Sequence, residues 1–158
     1  MADLQELIGE LEAQEARLVL GRFDNDDAWT LGCLLVEVAK ERGLAITIDV
    51  RRGGQQLFHA ALPGTAPDND RWIERKIRVV ERLHASSYLV GRRLAAKGAA
   101  FDAGYGVDPA DYATHGGAFP IRVHNVGVVG VVTVSGLPQA DDHALVVEVL
   151  GRFLDRVS

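Results

Sequence analysis

The sequence predicts an α+β protein in which an antiparallel sheet carries helices on its faces. Two segments, residues 45–60 and 119–134, each contain two short strand-like runs joined by a tight, glycine-containing turn. Such a turn joins only antiparallel strands, so these pairs cannot belong to a wholly parallel sheet. Helical periodicity before, between and after the two hairpins supplies the covering layers.

Composition favours one globular domain spanning residues 1–158. The chain is 47% hydrophobic and 25% charged, and its formal charge of -5 argues against a nucleic-acid partner. No run approaches the roughly 20 apolar residues of a membrane helix, and the acidic N-terminus lacks a signal-peptide pattern. The single cysteine, Cys33, suits a reducing compartment. We therefore expect a cytoplasmic protein with no membrane or nucleic-acid partner.

The first half of the chain is predicted to contain two helices and a hairpin. Apolar residues recur at helical spacing from residue 4 to 11, so residues 1–22 are interpreted as an N-terminal helical extension ending in a brief strand. Acidic and amide side chains at 24–27 can cap a second helix. Strands follow at 45–50 and 56–60, separated by a glycine-rich turn.

The middle of the chain is predicted to be helical. Asp68 can cap a third helix, and Ser86 or Ser87 can cap a fourth. A cap followed by a proline, Asp108-Pro109, then predicts a short helical turn over residues 110–114.

The last part is a glycine-rich strand, turn, strand and helix unit. Strands are predicted at 119–123 and 128–134, and Asp141 or Asp142 can cap the final helix. The glycines at 127 and 130 lie before and within a strand, so they are not a dinucleotide fingerprint. No P-loop is present, and the histidine and cysteine spacing predicts no metal site.

Two places in this unit are candidates for chemistry. His115 stands beside Gly116 and Gly117, where a backbone can approach a ligand closely, or it is a helix C-terminal histidine stabilised by the helix dipole. Ser135-Gly136 precedes a helix, whose free N–H groups would hold an anion or would be satisfied by the capping aspartates. The residues alone leave both alternatives open.

The same unit resembles the signature of the haem-degrading (HbpS-like, GlcG-like) domain family, in the branch designated UPF. The resemblance lies in residues 116–121, 127–136 and 141–144. Residues 46–50 with their glycine turn resemble the family's first hairpin, and Lys76 stands where that helix usually carries a lysine. The resemblance implies a profilin-like, three-layer α/β/α fold with a five-stranded antiparallel sheet, usually assembled into homo-oligomers.

The resemblance also implies a small-molecule ligand, with haem or another tetrapyrrole as the family's candidate; the sequence itself identifies no cofactor. Haem propionates would need Arg51 or Lys76, the macrocycle would need Phe58 or Trp72, and His115 is the candidate iron ligand. The predicted ligand-binding residues are Arg51, Phe58, Lys76, His115, Gly116, Gly117, Ser135 and Gly136.

Two other classes of function remain as hypotheses. The first is an enzyme acting on a small metabolite, with His115 as acid/base and backbone donors at Ser135 and Gly136 stabilising an anion. The second is a non-catalytic, oligomeric adaptor that uses Trp29, Trp72 and the basic helix at 71–82 for protein contacts.

Overall fold

The computed structural model describes residues 2–157 and confirms the α+β class, with a five-stranded sheet flanked by helices. The strands lie in the order β1-β4-β5-β2-β3. In chain order the elements are α1 (Ala2–Arg17), β1 (Val19–Leu20), α2 (Asn25–Arg42), β2 (Thr47–Arg52), β3 (Gln55–Ala61), α3 (Pro67–Leu83), α4 (Ser87–Ala96), β4 (Ala118–Val123), β5 (Gly127–Ser135) and α5 (Gln139–Val157).

Both predicted hairpins are present, and three of the four strand pairings are antiparallel: β2 with β3, β2 with β5, and β4 with β5. The expectation of a wholly antiparallel sheet is wrong at one edge, where β1 runs parallel to β4 with Val19 opposite Arg122. A two-residue strand carries no turn signal that fixes its direction. Its direction depends on the position at which α1 ends relative to the sheet.

One face of the sheet carries the main apolar core beneath α2 and α5. Phe119 and Val132 are fully buried there, opposite the helical residues Leu35 and Phe153. Gly32 in α2 makes room for the Phe58 ring, because a Cβ at that glycine would overlap the ring. The helix and the sheet are therefore in close contact around the Phe58 ring.

The other face lies beneath α3, with α4 beside α3 and α1 packed on α4. Ile73, Ile77 and Val80 of α3 contact Ala118 and Val131 of the sheet. Next to this small apolar cluster, β2 and β5 contribute a row of buried polar side chains. We call it the polar row: Thr47, Asp49, Thr133 and Ser135.

The ends of three helices refine the predicted caps. Asp68 does not cap α3; the N-cap is Ala66, whose N–H donates to Asn69 Oδ1 at 2.9 Å. Ser86 caps α4 as predicted, accepting from the Leu89 N–H at 3.1 Å. The last helix begins at residue 139, and Asp142 reaches back from its first turn.

The helical turn expected at residues 110–114 is wrong. The chain forms only a hydrogen-bonded turn at 109–111, and a 3-10 helix lies earlier, at Ala103–Tyr105. Asp108 Oδ1 accepts the Ala110 N–H at 2.9 Å, which holds the backbone in a local turn instead of a helix. Arginines of α3 then bind the carbonyl oxygens that a helix would have used.

Within residues 2–157, no helix combines the length and apolar character needed to cross a bilayer.

Candidate functional site

A cavity of about 250 Å³ opens beside the polar row. Its walls come from the first turns of α3, the loop before β4, the end of β5 and the start of α5. The side chains that matter for its chemistry are Asp68, Trp72, Lys76, His115, Ser135 and Asp142.

Lys76 places an ammonium group at the inner end of this cavity. The residue is only 3% exposed. Its Nζ donates to the Val134 carbonyl oxygen at 3.1 Å and to Asp142 Oδ2 at 3.3 Å. Gly117 gives Nζ its space, because a Cβ there would lie 2.7 Å from it, and the backbone φ of 136° also favours glycine. Burial lowers the pKa of Lys76, and the attraction of Asp142 opposes that shift.

Asp142 is the anionic partner of Lys76. Its Oδ1 accepts the Leu137 N–H at 3.0 Å, so the carboxylate also closes the turn that leads into α5. Burial raises the pKa of Asp142 to about 6, although Lys76 and the backbone donors oppose the shift. Burial therefore disfavours the charged form of Lys76 and the charged form of Asp142. The hydrogen bonds that each residue makes favour the charged forms and oppose this effect.

His115 stands at the mouth of the cavity. Its ring packs edge-to-face on Trp72, with the ring centroids 5.1 Å apart, and the residue remains exposed. Partial burial lowers the pKa of His115, and the charges of Lys76, Arg75 and Arg92 lower it further. The imidazole is therefore neutral at pH 7 and offers a nitrogen lone pair. The interpretation as a helix C-terminal histidine is wrong, because residues 112–114 are not helical and no helix ends at His115.

Ser135 and Gly136 form the floor at the end of β5. Ser135 is 4% exposed and lines the cavity. Gly136 has a φ of 145°, and a Cβ there would collide with the backbone of residue 45. The Leu137 N–H already donates to Asp142. For this donor, the prediction of a capping aspartate is therefore correct, and the prediction of a bound anion is not. His115 and Ser135 line the same cavity, as the catalytic hypothesis requires.

The structure does not bring all the predicted binding residues together. Gly116 and Gly117 form the loop behind His115, and the Gly116 N–H donates to Gln139 at 3.1 Å. Arg51, in contrast, binds Asp49 at 2.9 Å and Glu74 at 2.5 Å and lines a separate cavity of about 200 Å³.

Phe58 is also misplaced in the predicted site, because it lies on the opposite face of the sheet. It pairs with Val50, whose side chain points towards α2, and its ring lies 5.5 Å from that of Trp29. Side chains alternate along a strand, so residues near one another in sequence can face different layers. A single pocket holding Arg51, Phe58 and His115 is therefore excluded.

The sequence interpretation overlooked two arginines that lie over aromatic rings and whose charges act on His115. Arg75 lies over the Trp72 ring, with Cζ 4.7 Å from the centroid, and Arg92 lies over the Tyr88 ring at 5.6 Å. Each arginine follows its aromatic residue by one helical turn, at a spacing of three or four positions. From the sequence, this spacing could have predicted that each guanidinium group lies over an aromatic ring.

Among the described residues, no group of three or more histidine, cysteine, aspartate and glutamate side chains is arranged to hold a metal ion.

Comparison with solved structures supports the fold. The structure of the Ybr137w protein superposes with a TM-score of 0.88 at 31% sequence identity, covering 98% of this chain and 95% of that chain. A PduOC structure solved as a haem complex superposes with a TM-score of 0.69 at 14% identity, covering 82% of this chain and 93% of that one. The low identity of the second match limits it to a statement about fold.

Sequence comparison identifies the family. A UPF0303 protein of Streptomyces coelicolor is 64% identical over 147 residues, which is 93% of each chain. The profile described as haem-degrading protein HbpS-like matches residues 23–151. These matches confirm the resemblance seen in the glycine-rich unit: the chain belongs to the HbpS-like family.

Proposed function

We propose that the protein binds a small anionic molecule, such as a carboxylate, in the cavity beside Lys76. The observation that supports this proposal is a buried ammonium group at the wall of an open cavity. An ammonium has three donors, and Lys76 uses two of them, on Val134 and Asp142. A ligand carboxylate would accept the third N–H and stabilise a charge that burial disfavours.

The other cavity residues suit the same ligand. The Ser135 hydroxyl can donate to an anion from the floor, and the His115 ring stands at the mouth. The volume of about 250 Å³ lies just under the roughly 300–1,000 Å³ of pockets that take drug-sized molecules. The proposed ligand therefore has only a few carbon atoms.

Calorimetric titration with short-chain mono- and dicarboxylates tests this proposal. The Ser135→Ala and His115→Ala variants should each bind the best of these ligands about ten-fold more weakly, the loss expected for one hydrogen bond to a charged group. His124→Ala is the matched control, because His124 is an exposed histidine in the β4–β5 turn. Equal affinities in the wild type and in both cavity variants would overturn the proposed site.

Haem is the second candidate ligand, because the family is described as haem-degrading and PduOC was solved as a haem complex. His115 fits the role of an iron ligand, because a neutral, exposed imidazole is what iron coordination requires. The cavity of about 250 Å³ is too small for the macrocycle. Even drug-sized molecules, which are smaller than haem, occupy pockets of roughly 300–1,000 Å³. A bound haem would therefore lie outside this cavity, against its mouth.

A hemin titration followed by absorbance separates the two candidates. If haem binds through His115, the Soret band shifts on mixing, and the shift is lost in His115→Ala but kept in His124→Ala. A Soret band that does not shift, or that shifts equally in His115→Ala, excludes the histidine-ligated form.

Two broader expectations remain predictions: assembly into a homo-oligomer and a cytoplasmic location. Light scattering at micromolar concentration tests the first, and a monomeric mass would contradict it. Fractionation of cells producing the protein tests the second, and recovery outside the cytoplasmic fraction would contradict it.

A further inference from the structure

Lys76 has the setting of a nucleophilic amine at the wall of the cavity. Its Nζ donates to the Val134 carbonyl oxygen at 3.1 Å and to Asp142 Oδ2 at 3.3 Å. When the amine is neutral it has only two N–H groups, and these two acceptors engage both of them. The lone pair then remains for a molecule in the cavity, whose wall includes Lys76.

The surroundings of Nζ favour the neutral amine. Lys76 is only 3% exposed, and burial lowers its pKa, although the attraction of Asp142 opposes the shift. The Trp72 ring and Leu137 line the same cavity and reduce the space for water in it. A desolvated lysine is the form of this residue that attacks carbonyl carbon atoms.

Asp142 can carry protons to and from Nζ. Its Oδ1 accepts the Leu137 N–H at 3.0 Å, which leaves Oδ2 for Nζ. Burial raises the pKa of this carboxyl to about 6, so it exchanges protons readily near neutral pH. Lys76 and Asp142 both line the cavity, so the amine and its proton carrier meet the same ligand.

The ligand class follows from where a carboxylate would lie. In the proposed function the carboxylate binds beside Lys76 and Ser135, and the cavity of about 250 Å³ admits only a few carbon atoms. In a 2-oxo acid the ketone carbon is bonded directly to the carboxylate carbon. A 2-oxo acid held there by its carboxylate therefore brings an electrophilic carbon next to Nζ.

Building on the proposed function, we propose that Lys76 forms a reversible imine with a small 2-oxo acid. Asp142 takes one proton from the ammonium group, and the neutral Nζ adds to the ketone carbon. A second nitrogen proton passes to the ketone oxygen and makes it a hydroxyl group. Asp142 then returns its proton to this hydroxyl group, the C–O bond breaks and water leaves. The product is a protonated imine, which keeps the positive charge beside Asp142, and nothing is oxidised or reduced.

Trapping with cyanoborohydride tests the proposal in the full chain, because hydride converts an imine into a stable secondary amine. Pyruvate is the probe, and lactate is its matched control, since lactate has the same carboxylate but a hydroxyl group in place of the ketone. With pyruvate, the intact mass should rise by one pyruvate minus one water plus two hydrogen atoms. Peptide mapping should place this adduct on Lys76 and not on the exposed Lys40 or Lys97, and lactate should give no adduct.

Three variants and a competition test the roles of these residues. Lys76→Met should give no adduct, whereas Lys97→Met should be labelled like the wild type. Asp142→Asn keeps an oxygen for the Leu137 N–H but carries no proton, so it should slow labelling about a hundred-fold, the lower end of what general acid–base catalysis contributes. Excess lactate should slow the labelling of the wild type, a result that does not depend on the folding of any variant.

The outcomes separate this inference from the proposed function. If calorimetry shows that lactate and pyruvate bind but Lys76 is not labelled, the imine inference is wrong and the small-anion site stands. Labelling of Lys76 that lactate does not slow, or that is as fast in Asp142→Asn as in the wild type, would also contradict the proposed reaction. If neither acid binds and no adduct forms, the proposed function itself is overturned, and the inference with it. Thermal unfolding of each variant checks that lost labelling does not come from a lost fold.

Discussion

The two faces of the sheet are made from alternate residues of the same strands, yet they differ in chemistry. Towards α2 and α5, the buried side chains of β2 and β5 are aliphatic: Ile48, Val50, Val132 and Val134. Towards α3 the same two strands present the polar row, also buried. The first face stabilises the fold by burying apolar side chains. The second face buries polar side chains, which stabilise the fold less, and places them beside a cavity.

The difference also fixes the register of the sheet. A slip of one residue would exchange the two sets of side chains and put the polar row into the main core. Four predictions test the contrast between the faces, from the largest expected effect to the smallest.

Truncating the apolar face should cost the most stability. Phe119→Ala removes a fully buried ring from the core beneath α2 and α5 and should lower the free energy of unfolding by about 3–5 kcal/mol. Urea unfolding measures this change. Val126→Ala, in an exposed turn, is the control and should change stability by less than about 0.5 kcal/mol. A small effect at Phe119 would mean that the core does not depend on this face.

Breaking the buried ion pair on the other face should cost about 3 kcal/mol. Lys76→Met leaves the Asp142 carboxylate buried without its partner, while the double variant Lys76→Met/Asp142→Asn removes both charges and keeps an oxygen for the Leu137 N–H. We therefore expect the double variant to be more stable than Lys76→Met alone in urea unfolding. The reverse order would show that the pair is not buried as described.

The pH dependence of stability should reveal two neighbours on α5 that act in opposite directions. Burial raises the pKa of Asp142 to about 6, so the folded state binds this proton more tightly and the stability contribution falls as pH rises from about 4 to 6. Burial lowers the pKa of His143 to about 4, so the unfolded state binds that proton more tightly and the contribution rises between about pH 4 and 6.5.

The two contributions oppose each other between about pH 4 and 6, so each partly offsets the other in the wild type. His143→Gln should leave a stability that falls with rising pH, and Asp142→Asn should leave one that rises. Chemical unfolding at half-unit pH steps measures the slopes. Slopes of the same sign in both variants would contradict the opposed shifts.

The smallest effect concerns the hydroxyls of the polar row. Among the described residues, Thr47 and Thr133 bury hydroxyl oxygens that have no hydrogen-bond partner. Thr133→Val should therefore raise stability by about 1 kcal/mol, because it removes an unsatisfied polar group without changing the shape of the side chain. Thr65→Val should lower stability, since the Thr65 hydroxyl donates to the Leu62 carbonyl oxygen at 2.7 Å. A loss of stability at Thr133 would indicate a bound partner for its hydroxyl.

Much of the fold follows from local patterns in the sequence. The alternation of residues 45–50 and the capping side chain of Ser86 each depend only on neighbours in the chain, and both predicted elements are present. The direction of β1 depends on how the chain returns from α1, and the loop at 109–111 depends on arginines more than thirty positions away. Local patterns carry no information about the direction of β1 or about the contacts from these distant arginines.

The site was harder to predict because it combines residues from both sides of a turn and from two helices, α3 and α5. The family signature located His115, Lys76 and Ser135, which do line one cavity. It also suggested Phe58, whose position in the strand sends it to the opposite layer. Arg75 and Arg92 were overlooked because an arginine on a helix is ordinarily solvated, and only the packing on Trp72 and Tyr88 shows otherwise.

The N-terminal helix has a practical consequence for anyone shortening this chain. The family match begins at residue 23, yet Glu15 of α1 accepts the Ser86 N–H at 3.0 Å, and Gln14 bonds His143 at 2.7 Å. Ile8 and Leu11 also bury apolar surface against α4. A protein cut at residue 23 would expose the start of α4 and the apolar surface along it. The limits of the family profile match and the limits of the folding unit are therefore different.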